Sequence, residues 1–192
     1  MALRKAMDLK RYWTIKGRTY ITDCPPKNNG SLIVDELAKL KFSSILDIGC
    51  GYGRHLKLIK ESFPNTRLIG ADISPTMLES ARRYLNDSIE LYETDGLHLP
   101  FGDKEFDIIF TFGCMIEVPE VKPFYQEIKR VGSRGLFLES YVKGLRMPSR
   151  TYFSHDYPEL FGSNYSVLYR AVKGNILRKI YEELYLVELT DD

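Results

Sequence analysis

Between residues 44 and 142 the rhythm of apolar positions changes repeatedly. Short, nearly unbroken apolar runs occur as SILDIG (44–49), RLIGADI (67–73), IELYETD (89–95), FDIIFTFG (106–113) and GLFLESYV (135–142). Between them lie stretches in which apolar residues recur every three or four positions. The unbroken runs predict buried strands. RHLKLIKESF (54–63) predicts a helix with Leu56, Ile59 and Phe63 on one face and Pro64 just past its end. SPTMLESARRYL (74–85) predicts a second helix, with Ser74 as N-cap and Pro75 at its first position. KPFYQEIKRV (122–131) predicts a third. Strands alternating with helices imply a parallel sheet covered on both faces. After residue 142, SVLYRAV (166–172) and LYLVEL (184–189) are placed to close the sheet as an antiparallel pair. Residues 1–31 differ: they are basic, then turn-rich at CPPKNNG.

Composition narrows the class. A chain of 192 residues, 44% hydrophobic and 28% charged, suits one soluble domain with a sizeable core, or a domain with a small appendage. The net charge of +1 gives no global attraction to nucleic acid or to membranes. Cys24, Cys50 and Cys114 are odd in number and far apart, so they form neither a disulfide framework nor a metal-ligand spacing. No apolar run is long enough to span a bilayer, and MALRKAMDLKRYW lacks the apolar stretch of a signal peptide. The expected location is the cytoplasm.

The chemistry concentrates at ILDIGCGYGRH (45–55). Gly49, Gly51 and Gly53 occupy the turn from the first strand into the first helix, where glycine permits positive φ and close approach of a ligand to the backbone. Ligands of open α/β sheets bind outside the carboxyl ends of the strands. Asp72 ends the second strand and is placed to accept hydrogen bonds from ribose hydroxyls. A dinucleotide site usually carries G-x-G-x-x-G under a pyrophosphate. Here the spacing is G-x-G-x-G, and Asp47 beside the loop would repel a pyrophosphate while suiting an ammonium and a sulfonium. Asp95, at the end of the third strand, can accept from an adenine amino group, with the backbone near Gly96 against the ring. Three acids at successive strand ends thus address an amino acid, a ribose and an adenine, the parts of S-adenosylmethionine.

From Ser44 to Tyr141 the chain resembles a class I S-adenosylmethionine-dependent methyltransferase of the methyltransferase-domain family. ILDIGCGYG resembles that family's glycine-rich first motif, GADISPTMLESAR its second, and TDGLHLPFGDKEFDIIFTFGCMIEVP its third and fourth. The resemblance implies an α/β, Rossmann-like, seven-stranded mostly parallel sheet with helices on both faces and the last strand antiparallel. It implies S-adenosyl-L-methionine as cofactor, with Ile73 and Met77 flanking adenine and Phe112 in the cofactor-binding set. It divides the chain into an N-terminal helical lid segment, 1–31, and a methyltransferase domain, 32–192. Tyr12, Trp13 and Tyr20, interleaved with Lys10, Arg11, Lys16 and Arg18, would fold over the methionine end of the cofactor; the alternative is a solvated helix face.

Candidate catalytic residues are Glu117, Glu139 and His155, at or after the ends of the fourth and fifth strands. Many relatives carry histidine where this chain has Glu117, which puts a histidine-based role in doubt. A base is needed only if the acceptor must lose a proton. Asp107 is expected to cap a turn, and Cys50 and Cys114 to be packing residues. The aromatic segment 143–175 is the expected acceptor site, and a small molecule the expected acceptor. RNA or protein modification, a cofactor-binding regulatory protein without catalysis, and a nicotinamide-dependent enzyme on the same sheet stay open as alternatives.

Overall fold

The structure is a computed structural model that describes residues 8–23, 30–142, 153, 155–175 and 178–190. Seven strands form one sheet: β1 (Ser44–Ile48), β2 (Arg67–Asp72), β3 (Glu90–Glu93), β4 (Phe106–Phe112), β5 (Gly132–Val142), β6 (Tyr165–Asn175) and β7 (Arg178–Glu188). Their spatial order is β3-β2-β1-β4-β5-β7-β6. The first five pair in parallel, and β7 runs antiparallel to both β5 and β6. The expected fold class therefore stands, including the reversed last strand.

The helices are α1 (Leu9–Lys16), α2 (Tyr20–Asp23), α3 (Gly30–Leu37), α4 (Arg54–Ser62), α5 (Pro75–Leu85), α6 (Val121–Val131) and α7 (Tyr157–Phe161). One face of the sheet buries Ile33 and Leu37 of α3, Leu56 and Ile59 of α4 and Leu78 and Ala81 of α5 against Ile45, Ile108 and Phe110. The opposite face buries Phe124 and Ile128 of α6 and Phe161 of α7 against Leu46, Ile109 and Phe137. Every residue of β1 is buried, which is why it reads as a continuous apolar run. Each such large side chain contributes about 1.5–3 kcal/mol.

Local signals place the ends. Ser74 caps α5, its hydroxyl accepting from the Met77 amide at 3.2 Å, and Pro75 follows. Asp107 does what its position predicts: one carboxylate oxygen accepts from the amides of Ser43 (2.7 Å) and Ser44 (3.1 Å) and from both serine hydroxyls. Two features escape the apolar pattern. β7 begins at Arg178, six residues before the expected LYLVEL, because its first half is held by two ladders, to β6 from Asn175↔Arg178 and to β5 from Val142↔Ile180. The division at 31/32 falls in the first turn of α3. Among the described residues no helix is long and apolar enough to cross a membrane.

Candidate active site

The topology turns the carboxyl ends of β3, β2, β1, β4 and β5 to one edge, in that spatial order. At the tip of β1, Gly49, Gly51 and Gly53 all have positive φ (77°, 56° and 83°). Two of them are tied to packing. A Cβ on Gly49 would meet Cys114 Sγ at 2.7 Å, so the β1 and β4 loops abut there; one on Gly53 would meet Leu85 at 2.7 Å. Gly51 differs, since nothing lies within 4 Å of its Cβ position. Its backbone faces open space, as a bound molecule laid on the turn would require. Gly113, past β4, repeats this with φ 62° and open space. Sequence reasoning passed over Gly113, although a glycine ending FDIIFTFG was the available signal.

Three of the predicted acids stand in a row. Asp47 is 1% exposed, and its Oδ2 is buried with no hydrogen bond. Burial, then repulsion from Asp72, pushes its carboxyl up to about 8, while Arg54 pulls the other way. Asp72, also buried, accepts from the Gly51 amide through Oδ2 and from the Ser74 amide through Oδ1, each at 2.9 Å. It thereby fixes the glycine turn to the start of α5. Burial raises its pKa and those amides oppose the rise. Each of its oxygens keeps a second lone pair for a hydroxyl donor. Asp95 is exposed, with Oδ1 accepting from the Leu97 amide at 2.9 Å. Gly96, at φ 78°, packs so closely on the Phe124 ring that a Cβ would lie 2.3 Å from it. Ile73 is half-buried between Asp72 and Ser74. Met77 is 2% exposed and lies beneath α1, its Cγ 3.3 Å from a Cβ built on Gly17. Phe112 packs its ring on His55 at 4.5 Å, with the Arg54 guanidinium 4.7 Å from its centroid.

The β4 exit holds the candidate catalytic residues in different ways. Glu139 is fully buried beneath the turn Met115–Glu117. It accepts from the Thr111 hydroxyl at 2.8 Å and from the amides of Cys114, Met115 and Ile116 at 3.2–3.3 Å. Burial raises it to about 7 against those donors. Its oxygens serve the loop that carries Glu117, so the structure gives it a positioning task. Glu117 itself is half-buried, and Oε2 accepts from the indole N–H of Trp13. Burial pushes it up to about 8, the indole donor opposes, and Glu139 and Asp72 add repulsion. His155 Nε2 is 2.9 Å from the Val118 carbonyl, so that nitrogen donates. Burial lowers its pKa against that bond. Cys50 and Cys114 are free thiols whose pKa burial raises, in keeping with packing roles.

The N-terminal helix lies over this edge. Trp13 reaches Glu117, the Thr76 hydroxyl donates to the Thr14 carbonyl at 2.7 Å, and Lys10 pairs with Glu93 at 2.6 Å. Tyr12, Trp13, Tyr20, Tyr52 and Tyr84 form a chain of edge-on rings with centroids 5.2–6.3 Å apart. No sequence signal joins Trp13 to Glu117, 104 residues away. Of the expected acceptor segment 143–175, residues 143–152 and 154 lie outside the described residues, as do Arg4, Lys5 and Cys24 of the head.

Residues 45–135 match the family described as methyltransferase domain, across the glycine turn, all three acid-bearing strand tips and the β4 exit. Over these residues the chain is similar to the class I S-adenosylmethionine-dependent methyltransferases. It is 27% identical over 107 residues to a probable tocopherol O-methyltransferase, chloroplastic, of Oryza sativa subsp. japonica, covering 53% of this chain and 29% of that one. It is 31% identical over 88 residues to a malonyl-[acyl-carrier protein] O-methyltransferase of Hahella chejuensis, covering 45% and 32%. The chain thus spans roughly a third of the length of these curated relatives. A crystal structure of magnesium protoporphyrin IX methyltransferase from Synechocystis PCC 6803 superposes with a TM-score of 0.68 at 16% identity, over 97% of this chain and 98% of that one, which shows a shared fold.

Proposed function

We propose that this methyltransferase moves a methyl group from S-adenosyl-L-methionine to a nucleophilic oxygen or nitrogen of a small molecule, in the cytoplasm. One observation carries the reading. A buried carboxylate oxygen without a partner, Asp47 Oδ2, stands beside a glycine backbone left open at Gly51. A protein leaves such a group unpaired at a cost of about 1–3 kcal/mol, and a cationic ligand removes that cost. The residues fit the cofactor. Asp47 would take the ammonium, Asp72 the ribose hydroxyls, and Asp95 with Gly96 the adenine edge. Ile73 and Met77 would flank the ring, Gly49, Gly51 and Gly53 would let the ligand lie on the backbone, and Phe112 would back the site from β4. When bound, the cofactor supplies an electrophilic methyl on a sulfonium.

The chain's own work is to bind, orient and exclude water. Because the leaving sulfur is neutral, no oxyanion stabiliser is required, and holding two reactants in line supplies most of the acceleration. Glu139 holds the β4 turn, and that turn presents Glu117 to the acceptor. Glu117 takes a proton where the acceptor must release one. His155 flanks the same opening with Phe153 and Tyr157, whose rings lie 6.1–6.2 Å away. Residues 1–31 act as a lid through α1 and its three attachments. Titration with S-adenosylhomocysteine and with NADH tests the assignment. The nucleoside should bind in the micromolar range and NADH should not, and Asp72→Ala should weaken the nucleoside at least tenfold. Unchanged affinity in that variant would overturn the reading.

A further inference from the structure

The strand tips gather acidic groups that form no ion pair among the described residues. Asp47, Asp72, Glu117 and Glu139 all act on Cys114 electrostatically, so they surround one small region. Among the described residues none of the four is in an ion pair, although ion pairs form elsewhere among them. Their situations differ. Glu139 is consumed by four donors, and Asp72 is tied to two amides. Asp47 keeps an unpartnered buried oxygen. Glu117 has Oε2 on the Trp13 indole, and among the described residues Oε1 accepts no hydrogen bond.

Spatial order then separates the two open carboxylates. Along β3-β2-β1-β4, the proposed adenine, ribose and amino-acid groups use the first three tips. Glu117 stands on the fourth, one step beyond the amino-acid end. It therefore faces the acceptor, and the indole N–H of Trp13 holds its other oxygen. An acid with no cation partner among the described residues, next to three more acids, disfavours carboxylate and phosphate acceptors, and a positive one would draw it into its charged form.

We propose that the acceptor is an amine, held as its ammonium ion by Glu117 Oε1. The inference rests on the methyltransferase reading above. Glu117 accepts a proton from the ammonium and so frees the nitrogen lone pair. That pair forms the new N–C bond as the C–S bond breaks, and the C–S electrons stay on sulfur as a thioether. The nitrogen is cationic again, and Glu117 passes its proton to water once the product has left.

The test uses the full chain saturated with S-adenosylhomocysteine and three probes of one shape: 2-phenylethylamine, 2-phenylethanol and phenylacetate. Calorimetry should show the amine binding at least tenfold more tightly than the alcohol, and phenylacetate more weakly than either. Glu117→Gln keeps an oxygen for the Trp13 indole and removes the charge. It should weaken the amine at least tenfold and leave the alcohol and S-adenosylhomocysteine within about twofold. With S-adenosylmethionine, methyl transfer to the amine should exceed transfer to the alcohol. Equal binding of amine and alcohol, tighter binding of phenylacetate, or an amine affinity untouched by Glu117→Gln overturns the amine assignment. Failure of S-adenosylhomocysteine itself to bind overturns the methyltransferase reading beneath it, so the two failures are told apart. A thermal midpoint for Glu117→Gln within a few degrees of the parent shows that the folded protein is being measured.

Discussion

Replacing Asp47 by asparagine should stabilise the free protein at neutral pH while loosening its hold on S-adenosylhomocysteine. Asp47 is 1% exposed, and burial, helped by Asp72, raises its carboxyl from 3.8 to about 8. Because the folded-state value lies above the unfolded one, the unfolded chain releases the proton first as pH rises. The stability this group contributes is complete below about pH 4 and is lost progressively up to about pH 8. Each pH unit inside that window costs about 1.4 kcal/mol, so the ceiling at pH 7 is about 4 kcal/mol. Relaxation around a buried charge reduces this to about 2–3 kcal/mol. Asparagine has nearly the same shape and no charge in either state. The variant should exceed the parent by about 2–3 kcal/mol at pH 7 and match it within about 1 kcal/mol at pH 4. Asp72, Glu117 and Glu139, raised in the same direction, are present in both proteins and largely cancel. Urea unfolding followed by far-ultraviolet circular dichroism reads the difference as a midpoint shift of about 1–2 M at pH 7. Coincident midpoints at pH 7, or a variant that is the less stable protein there, would refute the reasoning. In the same preparations S-adenosylhomocysteine should bind the variant at least tenfold more weakly.

Three further outcomes follow from the same geometry. Gly49→Ala places a methyl 2.7 Å from Cys114 Sγ at φ 77°, so it should cost about 2–4 kcal/mol in urea unfolding and abolish S-adenosylhomocysteine binding at micromolar concentration. Trp13→Phe keeps an aromatic ring but removes the donor to Glu117, and hydrogen exchange over Leu9–Lys16 should quicken several-fold in the variant while the rates in β1 and β4 stay unchanged. Glu139→Ala strips the Met115–Glu117 turn of its acceptor and should cost about 3 kcal/mol or more, visible in thermal melts without any ligand; a variant of parental stability would return Glu139 to the list of candidate bases.

The sheet was legible because parallel strands buried on both faces leave an uninterrupted apolar signature, and because Ser74 and Pro75 announce a helix start chemically. The glycine turn was legible for a related reason. Gly49, Gly51 and Gly53 take backbone angles that other residues resist, so the conformation leaves its mark on the sequence. Asp47, Asp72 and Asp95 showed their places by ending strands. What stayed hidden depends on contacts distant in the chain. Nothing local in FLESY tells that Glu139 turns inward to four donors while Glu117 meets Trp13; both are acids near the carboxyl end of a strand. The meeting of Trp13 with Glu117 arises only once β4 and the N-terminal helix share an edge. β7 was half concealed because its early residues are mostly polar and its hydrogen bonds to β6 and β5 set its length.

β1 and β4 are neighbours in the sheet but roughly sixty residues apart along the chain, since β2 and β3 are added outward before the chain returns to the centre. The acids proposed for the nucleoside, Asp47, Asp72 and Asp95, therefore come from one contiguous stretch, and Glu117 and His155, proposed for its reaction partner, come from a later one. Inheritance can treat the two as separate modules. Drift, recombination or laboratory shuffling downstream of Gly113, together with the helix that carries Trp13, would be free to explore new reaction partners while the stretch from Asp47 to Gly113 preserves the proposed methyl-donor site.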